Sequence, residues 1–129
     1  MRLLLDTHVW LWLQVSPERL GARAFEAVSS TANELVLSAA SAWEIAIKYR
    51  LGKLPLPEPP ARYVPERVLR HGVTWLPIAP HHALAVADLP ELHGDPFDRL
   101  LVAQAMAEGL TLVTADGALA AYGVAILAA

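Results

Sequence analysis

Several acidic residues of this sequence lie where a predicted strand ends or a predicted helix begins. They are Asp6, Glu44, Asp95, Asp98 and Asp116. Of the five aspartates in the chain, only Asp88 lies elsewhere. Carboxylates that face one another repel, so a cluster of them is stable near neutral pH only when a cation lies between them. Oxygen ligands select a hard cation, and the pattern therefore predicts a Mg²⁺ or Mn²⁺ site.

Each of these acids also has a purely structural interpretation, because acids are common helix caps. Ser41 to Glu44 spell a capping box, in which the glutamate only satisfies the N-cap amide. Asp95 precedes Pro96 and matches an N-cap followed by proline at the first helical position. The structural interpretation is weakest for Asp6, which ends a strand expected at the centre of a sheet, where open α/β sheets bind ligands.

The histidines give a weaker metal signal than the acids. His81 and His82 are adjacent, so on a helix they point to different sides, and we expect both to face solvent. His8 and His93 lie near the acids in sequence, but neither belongs to an H-x-x-x-H or H-E-x-x-H pattern. A zinc site is therefore the less favoured alternative.

The overall charge does not by itself indicate nucleic-acid binding. The formal net charge is −3, whereas nucleic-acid-binding proteins usually present a basic face. When the four acids Asp6, Glu44, Asp98 and Asp116 are set aside, the formal net charge of the other residues is slightly positive. Four basic residues also lie near those acids in sequence, namely Lys48, Arg50, Lys53 and Arg99. The four tryptophans could stack on bases, but we favour packing in a core or an interface.

Five short apolar runs predict five strands. They are Arg2 to Leu5, Leu35 to Leu37, Val73 to Ile78, Leu110 to Val113 and Val124 to Leu127. Helical patterns lie between them, with predicted starts at Ser16, Ser41, Arg62 and Pro96, and Gly109 is predicted to cap the last helix. This alternation predicts a parallel sheet covered on both faces. We therefore expect a three-layer α/β/α sandwich with about five strands, formed by residues 1–129 as a single domain.

Composition and missing motifs exclude several classes of function. The chain has no cysteine, which excludes disulfides and thiolate metal sites. No G-x-G-x-x-G or G-x-x-x-x-G-K-[ST] motif occurs, which argues against a dinucleotide or nucleoside triphosphate site. With no cysteine and no G-x-S-x-G elbow, acyl-enzyme hydrolysis is disfavoured as well. Metal-assisted hydrolysis remains.

The balance of apolar and charged residues bears on location and partners. Hydrophobic residues make up 55% of the chain and charged residues 18%, so we expect an apolar surface that contacts other chains. We found no apolar run long enough to span a membrane and no signal peptide, and we expect a cytoplasmic protein.

Four short motifs, the second of them in two parts, occur in a recognisable order. They are LLLDTH from Leu3, SAWEIAIK from Ser41 with LGKL from Leu51, DPFDRLL from Asp95 and TAD from Thr114. Each motif alone is weak, but their order and spacing together are specific. Through them the whole chain resembles the PIN-domain toxins of VapC type.

The resemblance implies a function, a cofactor and partners. It implies that Asp6, Glu44, Asp98 and Asp116 are metal-binding and catalytic, that Asp95 is an accessory acid and that Thr114 helps to orient the site. It further implies Mg²⁺- or Mn²⁺-dependent endoribonuclease activity, a homodimer and inhibition by a VapB-like antitoxin. The chain departs from the family pattern at residues 117–119, where Gly, Ala and Leu follow Asp116.

Two other functions compete with hydrolysis of RNA by a metal-activated water. A phosphoacceptor signalling domain is also a small α/β protein with aspartates at strand ends, but it requires a lysine near the last strand. The only lysines here are Lys48 and Lys53, which lie far earlier. A module that binds RNA or a protein without cleaving it is the second alternative.

Overall fold

Strands and helices alternate along most of the chain in a computed structural model that describes residues 1–92 and 94–129. His93, considered above as a metal ligand, lies outside the described residues. The elements are β1 (Arg2–Leu5), α1 (Thr7–Val15), α2 (Ala22–Ser29), β2 (Glu34–Ser38), α3 (Ala39–Arg50), α4 (Pro60–Arg70), β3 (Thr74–Leu76), α5 (Pro80–Ala85), α6 (Pro96–Glu108), β4 (Thr111–Thr114) and β5 (Ile126–Ala128). Short 3₁₀ turns span Pro17–Arg19, Val86–Asp88 and Gly117–Tyr122. No helix in the described ranges has the length and apolar character needed to cross a bilayer.

The five strands form one parallel sheet with the order β3-β2-β1-β4-β5. β1 is central, and its Leu4 pairs with Val36 of β2 on one side and Leu112 of β4 on the other. In a parallel sheet all carboxyl ends lie at one edge. The residues that follow β1, β2 and β4 therefore meet at this edge.

Alternate residues of β1 bury their side chains in two different cores. Leu3 and Leu5 pack in a core that contains Trp10 of α1 and Tyr63 of α4. Leu4 points to the other face, where its core contains Leu101 and other residues of α6. Because side chains alternate along a strand, helices must cover both faces of the sheet. The predicted three-layer α/β/α sandwich is confirmed.

Three of the predicted helix starts are wrong. The helix predicted from Arg62 begins at Pro60, with Pro59 as its N-cap. The pattern at Ser16 forms only a 3₁₀ turn, and the α-helix begins at Ala22 after Gly21. The helix predicted from Ser41 begins at Ala39, because Ser38 is its N-cap and its side chain accepts a hydrogen bond from the Ala40 amide. Ser41 therefore lies inside the helix, and the Ser41 to Glu44 capping box does not form.

Helix α6 matches its prediction closely. It begins after Asp95, ends at Gly109, whose φ is +65°, and buries most of its middle residues. Gln104, the one polar residue between Leu100 and Ala107, is fully buried. Its Oε1 accepts a hydrogen bond from the Ser38 hydroxyl, and its Nε2 donates to the Pro77 carbonyl at 3.3 Å. These bonds tie α6 to the ends of β2 and β3.

Candidate metal centre

Asp6 lies at the carboxyl end of the central strand and is 6% exposed. It is the N-cap of α1, and its Oδ1 accepts a hydrogen bond from the His8 amide at 3.1 Å. Its Oδ2 accepts a hydrogen bond from the Thr114 hydroxyl at 2.6 Å. The Asp116 amide in turn donates to the Thr114 hydroxyl at 3.0 Å. The ends of β1 and β4 are thus joined through side chains.

Opposing effects set the pKa of Asp6. Burial raises this pKa, but the hydrogen bonds from His8 and Thr114 outweigh burial, and the pKa is lowered overall. The pKa of His8 is raised, first by its hydrogen bond with Asp6. Asp6 is therefore ionised at neutral pH although it is buried.

Two further acids lie at the start of α6. Asp95 is the N-cap, and its Oδ1 accepts hydrogen bonds from the amides of Phe97 at 2.8 Å and Asp98 at 3.3 Å. Its predicted role as a cap is therefore correct. Asp98 lies in the first turn, where the positive end of the helix dipole stabilises a carboxylate.

Asp116 follows β4 and caps the 3₁₀ turn Gly117–Tyr122. Its Oδ1 accepts a hydrogen bond from the Ala118 amide at 3.1 Å. A larger side chain at position 117 or 118 is therefore unnecessary for this cap, since only backbone amides take part.

One cleft of about 320 Å³ brings four of the predicted acids together. Its lining includes Asp6, Asp95, Asp98 and Asp116. Four carboxylates in one cleft repel one another, and a divalent cation offsets this repulsion. Their oxygen atoms are the ligands that a hard cation such as Mg²⁺ or Mn²⁺ prefers, so the residues present fit such an ion.

Glu44 lies beside this cleft and does not line it. It is 3% exposed in the second turn of α3, and its Oε2 is 2.6 Å from Nζ of Lys48. The hydrogen bond with Glu44 is the main cause that raises the pKa of Lys48, and the charges of Asp95 and Asp98 raise it further. Lys48 is therefore held by Glu44 and is close enough to the acids at the start of α6 to respond to their charge. The four-residue spacing of Glu44 and Lys48 is the sequence signal for this pair.

Arg99 is not available to nucleic acid, contrary to what its position next to Asp98 suggested. It is 9% exposed, and its guanidinium donates hydrogen bonds to the carbonyls of Val86, Leu89 and Pro90. These bonds hold the segment before α6 in place. Arg99 therefore stabilises the fold around the cleft.

His82 is also buried, so the prediction that both neighbouring histidines face solvent is wrong. It is 2% exposed because its ring packs towards α6, where Nδ1 lies 3.4 Å from Nε2 of Gln104. His81 remains exposed. The expectation that the two side chains point to different sides is wrong as well, because their ring centroids lie only 4.2 Å apart.

His81, His82 and Glu108 bring ligand atoms within 4.8 Å of one another. The Ala79 amide donates a hydrogen bond to Nδ1 of His82 at 2.9 Å, so the neutral ring carries its proton on Nε2. A protonated Nε2 has no lone pair for a cation. A histidine that binds a metal through one ring nitrogen normally donates a hydrogen bond from the other, but Nδ1 of His82 accepts one. The Glu108 carboxylate lies 3.8 Å from Nε2, which is too far for a hydrogen bond with this proton. The cleft with four carboxylates is therefore the better metal site.

The comparisons with known proteins agree with the fold. The family model of the PIN domain matches residues 3–125. Ribonuclease VapC22 of Mycobacterium tuberculosis is 35% identical over 114 residues, which are 88% of this chain and 85% of that protein. Ribonuclease VapC16 of the same organism is 59% identical over 56 residues, which are 43% of this chain and only 38% of that protein. The chain therefore belongs to the PIN-domain family.

The relatives within this family are of VapC type, as the sequence motifs predicted. Among solved structures, VapBC2 from Rickettsia felis bound to a DNA fragment from its promoter matches with a TM-score of 0.74 and 16% identity. This match covers 99% of this chain and 98% of that chain. At this identity the likeness shows the fold alone.

Proposed function

We propose that this chain is a Mg²⁺- or Mn²⁺-dependent endoribonuclease that acts as the toxin of a toxin–antitoxin pair. The observation that carries the proposal is the cleft in which Asp6, Asp95, Asp98 and Asp116 meet at the carboxyl edge of the sheet. The ribonuclease names of the two relatives support the activity. Residues 1–129 would act as one catalytic domain in the cytoplasm.

Asp6, Asp98 and Asp116 would be the main ligands of the cation. Thr114 orients Asp6 through its hydroxyl, and Asp95 holds the first turn of α6, which carries Asp98. Lys48 holds Oε2 of Glu44, so Glu44 would use Oε1 to bind the cation or to orient the attacking water. A bound divalent cation supplies a lowered water pKa and neutralises charge on the scissile phosphate.

The proposed reaction is hydrolysis of an RNA phosphodiester by water. The water oxygen forms a bond to phosphorus while the bond between phosphorus and the 3′-oxygen breaks. The products are a 5′-phosphate and a 3′-hydroxyl. The RNA 2′-hydroxyl is not the nucleophile.

An apolar stripe along α3 and its C-cap residue supports the proposal of protein partners. Trp43, Ile47 and Leu51 recur every four residues and are all exposed, and Trp43 is 58% exposed. The Trp43 ring also contacts the Phe97 ring of α6, with centroids 5.2 Å apart. Exposed apolar surface of this kind marks protein contact sites. We propose a homodimer and a VapB-like antitoxin as the partners.

The experiment is incubation of purified, antitoxin-free protein with total cellular RNA in Mg²⁺, in Mn²⁺ and in chelator, followed by mapping of 5′ ends. Asp6→Asn is compared with Asp88→Asn, which also neutralises an aspartate but at an exposed position outside the cleft. We expect discrete 5′-phosphate cuts that require the metal and Asp6. Binding of RNA that is equally strong in chelator, with no cut in any condition, would favour the non-cleaving module.

A further inference from the structure

A second concavity lies beside the acidic cleft. It has a volume of about 510 Å³, within the range of about 300–1,000 Å³ that is typical of ligand pockets. Its lining shares His8 and Trp12 with the acidic cleft. These two residues lie four positions apart on α1 and therefore on the same face of that helix. They form the ridge between the cleft and this second concavity, here called the groove.

The groove combines an apolar floor with positive charge. Leu11, Ile45 and Leu54 are among its apolar lining residues. Arg19, Lys48 and Lys53 also line it, and no acidic residue is found among the described residues of its lining. The guanidinium of Arg19 lies 5.1 Å from the centre of the Trp12 ring, so charge and an aromatic surface are adjacent.

Four of the seven cations outside the groove are paired or buried, whereas Arg23, Arg50 and Arg62 are exposed and form no ion pair among the described residues. Arg2 pairs with Glu34, both Arg67 and Arg70 pair with Glu66, and Arg99 is buried. Arg19 and Lys53 are exposed, and within residues 1–92 and 94–129 neither forms an ion pair. The groove therefore holds cations that can contact an anionic ligand.

An RNA strand with one phosphate in the acidic cleft needs such cations nearby. The carboxylates attract a phosphate only through a cation, and they repel the neighbouring phosphates of the same strand. The nucleotide next to the scissile phosphate must leave the cleft across the ridge formed by His8 and Trp12 or along another side. Across that ridge it meets Trp12, Arg19 and Lys53, which suit a base and a phosphate.

We propose that the groove binds the nucleotide adjacent to the scissile phosphate of a single-stranded RNA. This inference rests on the proposed nuclease function. The base packs on Trp12 and the apolar floor, and the next phosphate contacts Lys53 and Arg19. A base can enter the groove only when it is unstacked, so the groove selects single-stranded over double-stranded RNA.

The test uses the exposed cations, since their replacement does not disturb the core. The double variant Arg19→Ala/Lys53→Ala is compared with Arg2→Ala, which removes a cation at the amino end of β1, the opposite edge of the sheet. A labelled single-stranded RNA that contains a mapped cut site is the probe. Its cleavage gives kcat and KM, and its anisotropy in chelator gives Kd without any cleavage.

We expect the double variant to raise KM and the Kd in chelator about tenfold, because two cations no longer contact the phosphate, with kcat unchanged. The slope of log Kd against log salt should fall by about 0.7 for each phosphate that the variant no longer binds. Arg2→Ala should match the wild type in all these quantities. An unchanged Kd and KM in the double variant would overturn the proposal. A double variant that binds and cleaves RNA like the wild type, but is no longer inhibited by a protein partner, would overturn it as well.

An RNA that lacks one base next to the cut site tests the stacking contact. In the wild type this abasic RNA should bind about tenfold more weakly than the complete RNA. In Trp12→Ala the difference should vanish, while Trp12→Phe, which keeps an aromatic ring, should retain most of it. Equal losses for the abasic RNA in all three proteins would contradict the groove assignment.

Failure of the nuclease and failure of the groove give different results. If the wild type never cleaves RNA but Kd in chelator still depends on Arg19 and Lys53, the groove assignment stands and the proposed function is wrong. If metal-dependent cleavage occurs with unchanged KM in the double variant, the nuclease stands and the groove assignment is wrong.

Discussion

The hydroxyl of Thr114 donates a hydrogen bond to Oδ2 of Asp6 at 2.6 Å, although the two residues are 108 positions apart. The bond joins the carboxyl ends of β4 and β1, and both side chains are buried. The same hydroxyl accepts a hydrogen bond from the Asp116 amide. One hydroxyl thus fixes the positions of two proposed cation ligands.

Replacement of Thr114 should therefore weaken both stability and activity. Thr114→Val keeps the shape but leaves the Asp6 oxygen and the Asp116 amide without this partner. We expect a loss of about 1–3 kcal/mol in the free energy of unfolding. The cation affinity, measured by titration calorimetry, should fall about 10–100-fold, as for other residues that orient metal ligands. Thr114→Ser, which keeps the hydroxyl, should retain most of both quantities, and a Thr114→Val protein with wild-type cation affinity would contradict this role.

The buried Arg99 should not tolerate replacement by lysine. Lys cannot supply the planar set of donors that reaches the carbonyls of Val86, Leu89 and Pro90 together. We expect Arg99→Lys to lower the free energy of unfolding by about 2 kcal/mol, because hydrogen bonds to a charged group are each worth about 1.5–3 kcal/mol. Urea denaturation is the measurement. Arg70→Lys, at an exposed ion pair, should change the free energy by less than about 1 kcal/mol.

The pair formed by His8 and Asp6 predicts a pH dependence in the metal-free protein. The pKa of His8 is raised by Asp6, whose own pKa is lowered, so Asp6 stays ionised while His8 titrates. The stabilisation from this pair is fully present below the unfolded histidine pKa of about 6.5 and is lost as pH rises through the folded value.

The measurement is the difference in unfolding free energy between the wild type and His8→Ala in chelator. This difference should be larger near pH 5.5 than near pH 8.5. The change between the two pH values should be only about 0.2–1 kcal/mol, because the His8 side chain is more than half exposed. A difference that grows with pH would contradict the assignment.

Removal of the metal should reveal repulsion among the carboxylates. In chelator, Asp116→Asn should unfold at the same temperature as the wild type or higher, because it removes one negative charge from the cleft. Mg²⁺ at a hundred times its Kd should stabilise the wild type by about 2.7 kcal/mol and Asp116→Asn by much less. Equal stabilisation of both proteins, measured by thermal unfolding, would exclude Asp116 as a ligand.

Local sequence patterns predicted the strands and the acidic edge well. Apolar runs locate β1, which Asp6 follows directly, and β4, which Asp116 follows after Ala115. The chain direction of a parallel sheet then brings Asp6 and Asp116 to the same edge. The start of α3 was less predictable, because Ser38 and Ser41 are both good caps and only Ser38 lies at the strand end. The helix Thr7–Val15 was missed because its run of apolar residues carries no helical alternation of polar and apolar positions.

Long-range packing decided what the sequence could not. His82 is buried because α6 packs beside α5, and the contact with Gln104 spans 22 positions. Arg99 next to Asp98 resembles a substrate-binding residue in sequence, but the segment from Val86 to Pro90 folds back onto it. Lys48 lies far from the last strand in sequence, which argued against a phosphoacceptor site. In the fold it is close enough to Asp95 and Asp98 for their charges to raise its pKa. Family membership, and not lysine position, is what argues against that class.

The most direct test of the central claim is the rate of single-turnover RNA cleavage in Mg²⁺ by a matched pair of variants. Asp98→Asn changes a residue of the cleft, and Asp88→Asn changes an exposed aspartate outside it. We predict that Asp98→Asn cleaves at least about 100-fold more slowly than the wild type, because loss of a ligand should cost at least as much as loss of a residue that orients one. Asp88→Asn should cleave at the wild-type rate. Equal rates for the two variants would contradict a metal-dependent nuclease site in this cleft.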